Sequence, residues 1–486
     1  MSLALIPFFL LVCGLIMVIV TDLVKPSSNR SYIISLLTVT LAFLSQVFTL
    51  NFPPMEVWKP IEQVLEFDPL SQGFSSLALI LAFLAIGMSK DSFDEAISKA
   101  GEYYALILTA TLGAVLVAHS EELLTFFLAF EMLSIPLYVL AGYKRYNRKS
   151  AEAGLKYFLS GALSSAIFLF GASWIFGACG STHYGQILSA FEQGHGQPVI
   201  LGTLMIVGAF AFKMAAAPFH MWAPDTYEGS PIPVAAFLST VPKVAMIAAS
   251  LRLFLALTNA LSNELMIVLA ALSILSVVMG NLVALTQTEM TRLAAYSGVA
   301  QMGYLLIGVA AVVSLNGTDR SDLVQEALGS LFFYLLIYTV TNFAFWTILL
   351  LVSHQRKSTR LEAFDGLSQT SPFLALALLI TVFSLAGVPP LAGFVGKLFL
   401  FRAAFYAQPL MAIFGVIGSV ISLYYYFNIL RRCYFLHPQD PNEKFELSSY
   451  TKGLLGALLL LTTLGGIFPW LTQICFQLAE RMLLSL

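Results

Sequence analysis

The chain alternates long apolar runs with short polar interruptions from one end to the other. Runs of about 20 apolar residues, enough to cross a bilayer as a helix, recur with no polar stretch long enough to fold as a soluble domain. They begin near Leu3, Tyr32, Leu70, Tyr104, Leu123, Leu155, Val199, Pro233, Leu265, Leu293, Leu328, Pro372, Val395 and Leu454. The pattern predicts an all-α, polytopic membrane protein of about fourteen transmembrane helices. The first run, MSLALIPFFLLVCGLIMVIV, lacks the basic flank and small-residue cleavage site of a signal peptide, so it reads as the first membrane helix. Prolines lie within or beside the spans of Lys213, Lys243 and Lys397, which predicts broken helices there.

The polar interruptions carry an orientation. Loops after odd-numbered spans hold Lys25 and Arg30; Lys90 and Lys99; Lys144, Arg145, Arg148 and Lys149; Arg292; Arg356, Lys357 and Arg360; and Arg431, Arg432, Lys444 and Lys452. Loops after even-numbered spans hold little beyond Lys59 and Arg320. Positive charge marks the cytoplasmic side, so both termini are expected on the outer side of the membrane.

Composition agrees with the pattern and narrows the chemistry. Of 486 residues 58% are hydrophobic and only 11% charged, against roughly a quarter charged in soluble domains. The net charge of −2 gives no electrostatic case for nucleic acid. Cys13, Cys179, Cys433 and Cys475 are far apart, and the six histidines lack ligand spacing, so disulfide, zinc and iron–sulfur readings are unsupported. No glycine-rich nucleotide fingerprint stands in a strand–helix context. Any electron transfer is therefore expected to run outside this chain, which should hold neither cofactor nor metal.

Four charges inside the apolar runs remain to be explained. An ionisable side chain at the bilayer centre costs roughly 2.5–3.5 kcal/mol on insertion scales. Glu131 lies mid-span in LTFFLAFEMLSIPLYVL, with Pro136 five residues on. Lys213 stands in GAFAFKMAAAPFH, Lys243 directly follows Pro242, and Lys397 closes SLAGVPPLAGFVGK. Interrupted backbone at membrane depth is tolerated where protein or water satisfies it, so proline beside a buried lysine suggests a wet cavity. A lysine taken out of water binds its proton less tightly, and a carboxylate nearby restores the hold. A glutamate and several lysines can thus form a switchable proton relay. For a single Glu–Lys pair, a static bridge that only fixes helix packing is an equal reading. Several such sites at helix breaks favour transport.

Other polar residues are secondary candidates. In HMWAPDTYEGSPIP, which joins spans seven and eight, Asp225 and Glu228 are expected at the mouth of the cavity. His220 is a possible accessory proton group, although a structural role is the commoner one for a lone histidine. Lys156, at the cytoplasmic start of span six, either snorkels or feeds protons toward Lys213. Arg252 is costly inside span eight, whereas Arg292, Arg431 and Arg432 read as topology anchors. Tyr304, Tyr334, Tyr338 and Tyr424 read as packing residues that could also hold water wires.

An internal echo is also visible. EMLSIPLYVLAG from Glu131 matches SGVAQMGYLLIG from Ser297, with Tyr138 opposite Tyr304 and Gly142 opposite Gly308. Five spans separate the copies, as in an inverted repeat.

FKMAAAPFHMWAPDTYEGSPIPVAAFLSTVPKVA resembles the signature of the antiporter-like subunits of proton-translocating NADH:quinone oxidoreductase, respiratory complex I. EMLSIPLYVLAGY, EAGLKYFLSGALSSAIFLFG, RLAAYSGVAQMGYLLIG and SLAGVPPLAGFVGKLFLF resemble further family blocks in the expected order, over roughly Glu131 to Phe401. The wording WAPDTYEGSP, the lysine at position 397 and the lack of a long lateral helix are similar to the subunit N branch, the counterpart of mitochondrial subunit 2. The resemblance implies a fourteen-helix fold with two inverted five-helix repeats and broken helices 7 and 12. It divides the chain into 1–103 (helices 1–3), 104–260 (first repeat, helices 4–8), 261–433 (second repeat, helices 9–13) and 434–486 (a loop and helix 14). It implies that Glu131 pairs with Lys213, that Lys243 is the central link and that Lys397 lies on the outward branch. NADH, FMN, iron–sulfur clusters and quinone would belong to partner subunits, and the partners would be the other membrane-arm subunits and the lipid bilayer. One departure stands out: Thr291-Arg292 and Ser297-Gly298 replace the Lys-Arg pair and AYSS-like run of many relatives. A stand-alone Mrp-type cation/proton antiporter, a subunit of a hydrogenase- or ferredoxin-linked complex, and a structural subunit with an inert Glu–Lys pair remain alternative expectations.

Overall fold

A computed structural model describes residues 3–50, 61, 63–90, 99–144, 146–187, 196–316, 320–438, 440 and 442–485. Lys59 and Arg145, two of the loop charges, lie outside the described residues. The described part is helical throughout, with three isolated bridges between loops and no named strand. The chain opens with α1 (Ile6–Val24), α2 (Ser28–Leu50) and α3 (Pro69–Ser89). There follow α4 (Ala100–His119), α5 (Leu123–Ala141), α6 (Arg148–Cys179), α7 (Gly196–Lys213), the short α8 (Trp222–Gly229) and α9 (Ile232–Leu238), and the long α10 (Val241–Ala284). Next are α11 (Met290–Asn316), α12 (Ser321–Arg356), α13 (Leu367–Thr370), α14 (Pro372–Ala386), α15 (Ala392–Ala407), α16 (Pro409–Phe435), α17 (Ser449–Ile467) and α18 (Trp470–Ser485).

Among the described residues, thirteen helices are long and apolar enough to cross a membrane. Here α9 and the first half of α10 count as one, and α10 counts twice, because Leu261 (φ −127°, ψ 19°) breaks it. The 15-residue α14 is apolar but shorter. The chain is therefore a multi-pass membrane protein, as its pattern predicts.

One boundary differs from expectation. The thirteenth span was expected to start near Val395, but that position lies inside α15, and the next long helix begins at Pro409. Gln408 is extended (φ −155°, ψ 102°) and Pro409 sits in the first turn of α16. A proline lacks the N–H a helix interior needs but serves well at a helix start. The largely apolar text on either side of Gln408 conceals this stop.

Local signals explain several ends. Asp68 caps α3 in a reciprocal box with Ser71, and the Asn147 side chain accepts from the first amides of α6. Gly180 ends α6 with a left-handed φ of 66°.

Burial sorts the helices. The α9–α10 span is buried throughout, and α3, α11 and α12 nearly so, whereas α1, α2 and α6 bury only one face. The exposed faces carry Leu, Ile, Val and Phe, as a lipid-facing surface should. The loops sort as well. Lys149 pairs with Glu228, Arg292 with Glu228, and Arg360 with Glu289, which joins connections after odd-numbered spans at one end. Bridges Leu65–Ser120 and Glu122–His183 join connections after even-numbered spans.

Candidate functional site

Lys213 and Lys243 stand at interruptions of helix, Lys397 reaches back to one from inside α15, and each is at most 3% exposed.

Lys213 is the last residue of α7, and the following turns, 214–221, include Ala215 at φ 56°. The broken end is held by side chains: Ser276 accepts from the Ala217 amide at 2.8 Å, and Trp222 Nε1 donates to the Phe212 carbonyl at 3.0 Å. The Lys213 ammonium lies 5.0 Å from the ring centres of Phe130 and Tyr138 and 5.1 Å from that of Tyr157. Among the described residues it has no hydrogen-bond partner. Aromatic faces attract the cation but accept no hydrogen bond of ordinary strength.

Glu131 does not form a direct ion pair with Lys213 here. Its Oε1 accepts from the Ser165 hydroxyl of α6. The resemblance implied a pair; in this arrangement the carboxylate bonds Ser165 and the lysine makes no hydrogen bond. Phe130 and Tyr138, on the same helix as Glu131, contribute two walls of the lysine chamber. Pro136 lies inside α5, where its missing N–H frees the Met132 carbonyl one turn back.

Lys243 sits three residues into α10, after the break at Ser239–Thr240. It donates to the Gly298 carbonyl at 2.9 Å and the Tyr338 hydroxyl at 3.0 Å. Tyr338 and Asn342, one turn apart on α12, also hold the break: they donate to the Ser239 carbonyl at 3.4 Å and the Ser239 hydroxyl at 2.7 Å. Gly298 leaves this contact uncrowded, since a Cβ there would lie 3.2 Å from Lys243 Nζ. The departure noted in sequence thus places a side-chain-free residue against the central lysine.

Lys397, in α15, turns back to the end of α14. It donates to the carbonyls of Leu385 at 3.0 Å and Ala386 at 3.1 Å, and lies 4.5 Å over the ring of Tyr304. These carbonyls belong to the last turn of a helix, where they lack intrahelical partners and carry the negative end of the helix dipole. Gly387, at φ 87°, turns the chain out of the way.

Polar side chains continue between the last two lysines. Tyr334 donates to Gln301 Oε1, and Gln301 Nε2 donates to the Leu385 carbonyl at 3.1 Å. A cavity of about 10 Å³ lies among Gln301, Tyr334, Tyr338, Ser384 and Leu385. That is about the room one water requires.

The accessory candidates fall elsewhere. His220 lies in the turns after Lys213, buried against the Tyr296 ring at 6.1 Å. Lys156 faces the surface, paired to Glu152 at 2.7 Å and Asp225 at 2.6 Å. Arg292 is more than a topology anchor: its guanidinium reaches Asp225 at 2.7 Å and Glu228 at 3.1 Å. Burial raises both carboxyls, but the bonds from Lys156 and Arg292 to Asp225, and from Lys149 and Arg292 to Glu228, bring each below the usual carboxylate range. Arg252 pairs with Asp68 at 2.8 Å and Glu121 at 2.9 Å, at the end of the bundle opposite Arg292. Asp68 and Glu121 had not been singled out in sequence. The signal was there, since an arginine inside an apolar span requires acidic partners.

An all-helical membrane fold with buried lysines at, or reaching to, three helix interruptions defines the class of antiporter-like membrane subunits. Residues 120–422 match the family described as NADH:quinone oxidoreductase/Mrp antiporter, transmembrane. NADH-quinone oxidoreductase subunit N of Moorella thermoacetica is 37% identical over 404 residues, 83% of either chain. NAD(P)H-quinone oxidoreductase subunit 2 of Synechococcus sp. is 38% identical over 429 residues, 88% of this chain and 79% of its own. A chain of respiratory complex I from Thermus thermophilus, solved with bound aureothin, superposes with a TM-score of 0.80 at 32% identity, covering 96% of this chain and 97% of its own. The chain therefore belongs to the NADH:quinone oxidoreductase/Mrp antiporter family, among its subunit N and subunit 2 members.

Proposed function

We infer that this chain is the membrane-arm subunit N of a NADH:quinone oxidoreductase, working beside other membrane-arm subunits. It couples electron transfer between NADH and quinone in those partners to proton translocation through its own buried charges. The observation that carries the reading is the set of three buried lysines, each at or reaching to a helix break, in a chain 37% identical to a subunit N over most of its length.

The relay begins at Glu131 and Lys213, passes Lys243 and leaves by Lys397. A carboxylate drawn toward Lys213 stabilises its charged form, and a carboxylate drawn away releases the proton. Glu131 resting on Ser165 is the withdrawn arrangement. The Gln301–Tyr334–Tyr338 side chains link Lys243 to Lys397. Lys156 and His220 flank this line as accessory groups. Helices of 104–260 and of 261–433 form the two inverted repeats, 1–103 and 434–486 stand outside them, and both termini face the periplasmic side of the inner membrane. NADH, FMN, iron–sulfur clusters and quinone are held by partner subunits.

The experiment is proton pumping by the assembled enzyme carrying Lys213→Ala or Glu131→Ala. Coupled activity should fall strongly while the complex still assembles. Normal pumping by assembled Lys213→Ala enzyme would sink the reading.

A further inference from the structure

The eight-residue α8 is held at both ends. Asp225, midway along it, and Glu228, at its C-terminal end, are gripped by Lys156 and Lys149 of α6 on one side and by Arg292 of α11 on the other. Gly229 seats that end tightly, since a Cβ there would meet the Lys149 carbonyl at 2.3 Å. At its N-terminal end Trp222 caps the broken end of α7 and stacks on Tyr157, with ring centres 4.4 Å apart and planes at 16°. Tyr157 is itself a wall of the Lys213 chamber. Non-helical residues precede α8, and Ser230 and Pro231 follow it, so it is a separate helical segment between two breaks. Its clamp, Arg292, stands on α11 six residues before Gly298, whose carbonyl accepts from Lys243.

We propose that α8 is a lever between the Lys243 and Lys213 sites, with Arg292 and Trp222 as positioning residues for Lys213. A shift of α11 when Lys243 changes its hydrogen bonds pulls on Asp225 and Glu228. α8 tilts, and Trp222 moves with Tyr157, opening or closing the aromatic chamber. Packed elements pass such shifts on because they move between discrete arrangements. The inference rests on the reading of Lys213 as a proton carrier.

The test uses the assembled enzyme with Arg292→Gln, Arg292→Lys and Trp222→Leu, read by protons moved per electron pair and by backbone hydrogen exchange. Arg292→Gln and Trp222→Leu should raise exchange across 212–222 by about tenfold, as expected when a charge-assisted clamp or a stacked cap is lost. Exchange around Asp68 and Glu121 should stay unchanged, and the proton ratio should fall. Arg292→Lys keeps the charge without the forked grip, so its effect should be smaller. Native exchange and pumping in Arg292→Gln, or exchange raised equally at Asp68 and Glu121, overturns the lever. If Arg292→Gln prevents assembly, Trp222→Leu alone decides by the same two readouts. Normal pumping in Lys213→Ala would instead overturn the relay itself, so the two failures are distinguishable.

Discussion

Lys397 lies 4.5 Å over the ring of Tyr304, and the residue opposite Tyr304 in the internal echo stands in the same relation to another lysine. Tyr138 is 5.0 Å from Lys213. The two matched segments of α5 and α11 thus each present a tyrosine face to a lysine at or reaching to a helix interruption. Glu131 heads the first segment, but its counterpart in the second is Ser297, which bonds the Tyr426 hydroxyl at 2.5 Å. The cradle is duplicated and the carboxylate is not.

If the ring faces hold these cations, removing them matters more than removing the hydroxyls. Tyr304→Leu and Tyr138→Leu should each cut coupled turnover several-fold to tenfold, since a desolvated cation–π contact is worth about 0.5–2 kcal/mol. Tyr304→Phe should remain near the native rate. Steady-state NADH:quinone activity with parallel proton-pumping traces checks both. Equal loss in the Phe and Leu variants would transfer the role to the hydroxyl.

Gly298 offers a finer test. Gly298→Ala adds a methyl 3.2 Å from Lys243 Nζ and 3.7 Å from the Tyr338 hydroxyl. It should displace one of the two hydrogen bonds of Lys243, worth about 0.5–1.5 kcal/mol or somewhat more for a charged donor. Pumping should fall a few-fold with assembly intact. A larger residue, as in Gly298→Val, should deepen the loss in the same assay.

The Arg252 cluster should act on stability. Asp68 belongs to the start of α3 and Glu121 to the turn before α5, so the guanidinium ties two loops to α10. Arg252→Ala leaves buried carboxylates uncompensated, a loss of roughly 3–5 kcal/mol. The variant should assemble poorly, as seen by the amount of chain in purified complex and its melting temperature. Combining Arg252→Met with Asp68→Asn and Glu121→Gln should recover much of the loss.

The cluster of Lys149, Lys156, Asp225, Glu228 and Arg292 has a defined pH dependence. Glu228 is held below the ordinary carboxylate value, so its contribution is fully present above the unfolded value, near about 4.3, and is lost as pH falls through the lower folded value. The melting-temperature difference between native and Glu228→Gln complex should be flat from about pH 8 to about pH 5 and shrink below about pH 4. A difference that already collapses near neutrality would contradict the ion pairs as drawn. Added salt should narrow it at any pH, because Glu228 and its partners are only partly buried.

Much of this was legible in sequence because burial of charge is expensive and proline has few uses in a membrane. Lys213, Lys243 and Lys397 were visible as single charges in apolar text, and each lies at or reaches to a break. What holds them was not. Gly298 and Tyr338 are 55 and 95 residues from Lys243, and neither is unusual where it stands. Asn342 looks like an ordinary polar residue until Ser239 is beside it. Arg292 looked like a loop charge because sequence shows its side of the membrane and not the carboxylates 67 and 64 residues away. The start of α16 was missed because one proline in a long apolar run does not say whether it kinks a helix or begins one.

Lys397 donates both of its hydrogen bonds to main-chain oxygens, and one of Lys243's two acceptors is likewise a carbonyl. Those oxygens are untouched by any side-chain substitution and do not titrate in water's pH range. An alanine scan would find these two cations and overlook three of the four acceptors that bind them. Among the described residues, Lys397 has no carboxylate in an ion pair with it; its contacts are two carbonyls and the face of Tyr304. If the proposed relay runs through Lys397, a proton arriving there has one seat, and the next can be seated only after the first has gone.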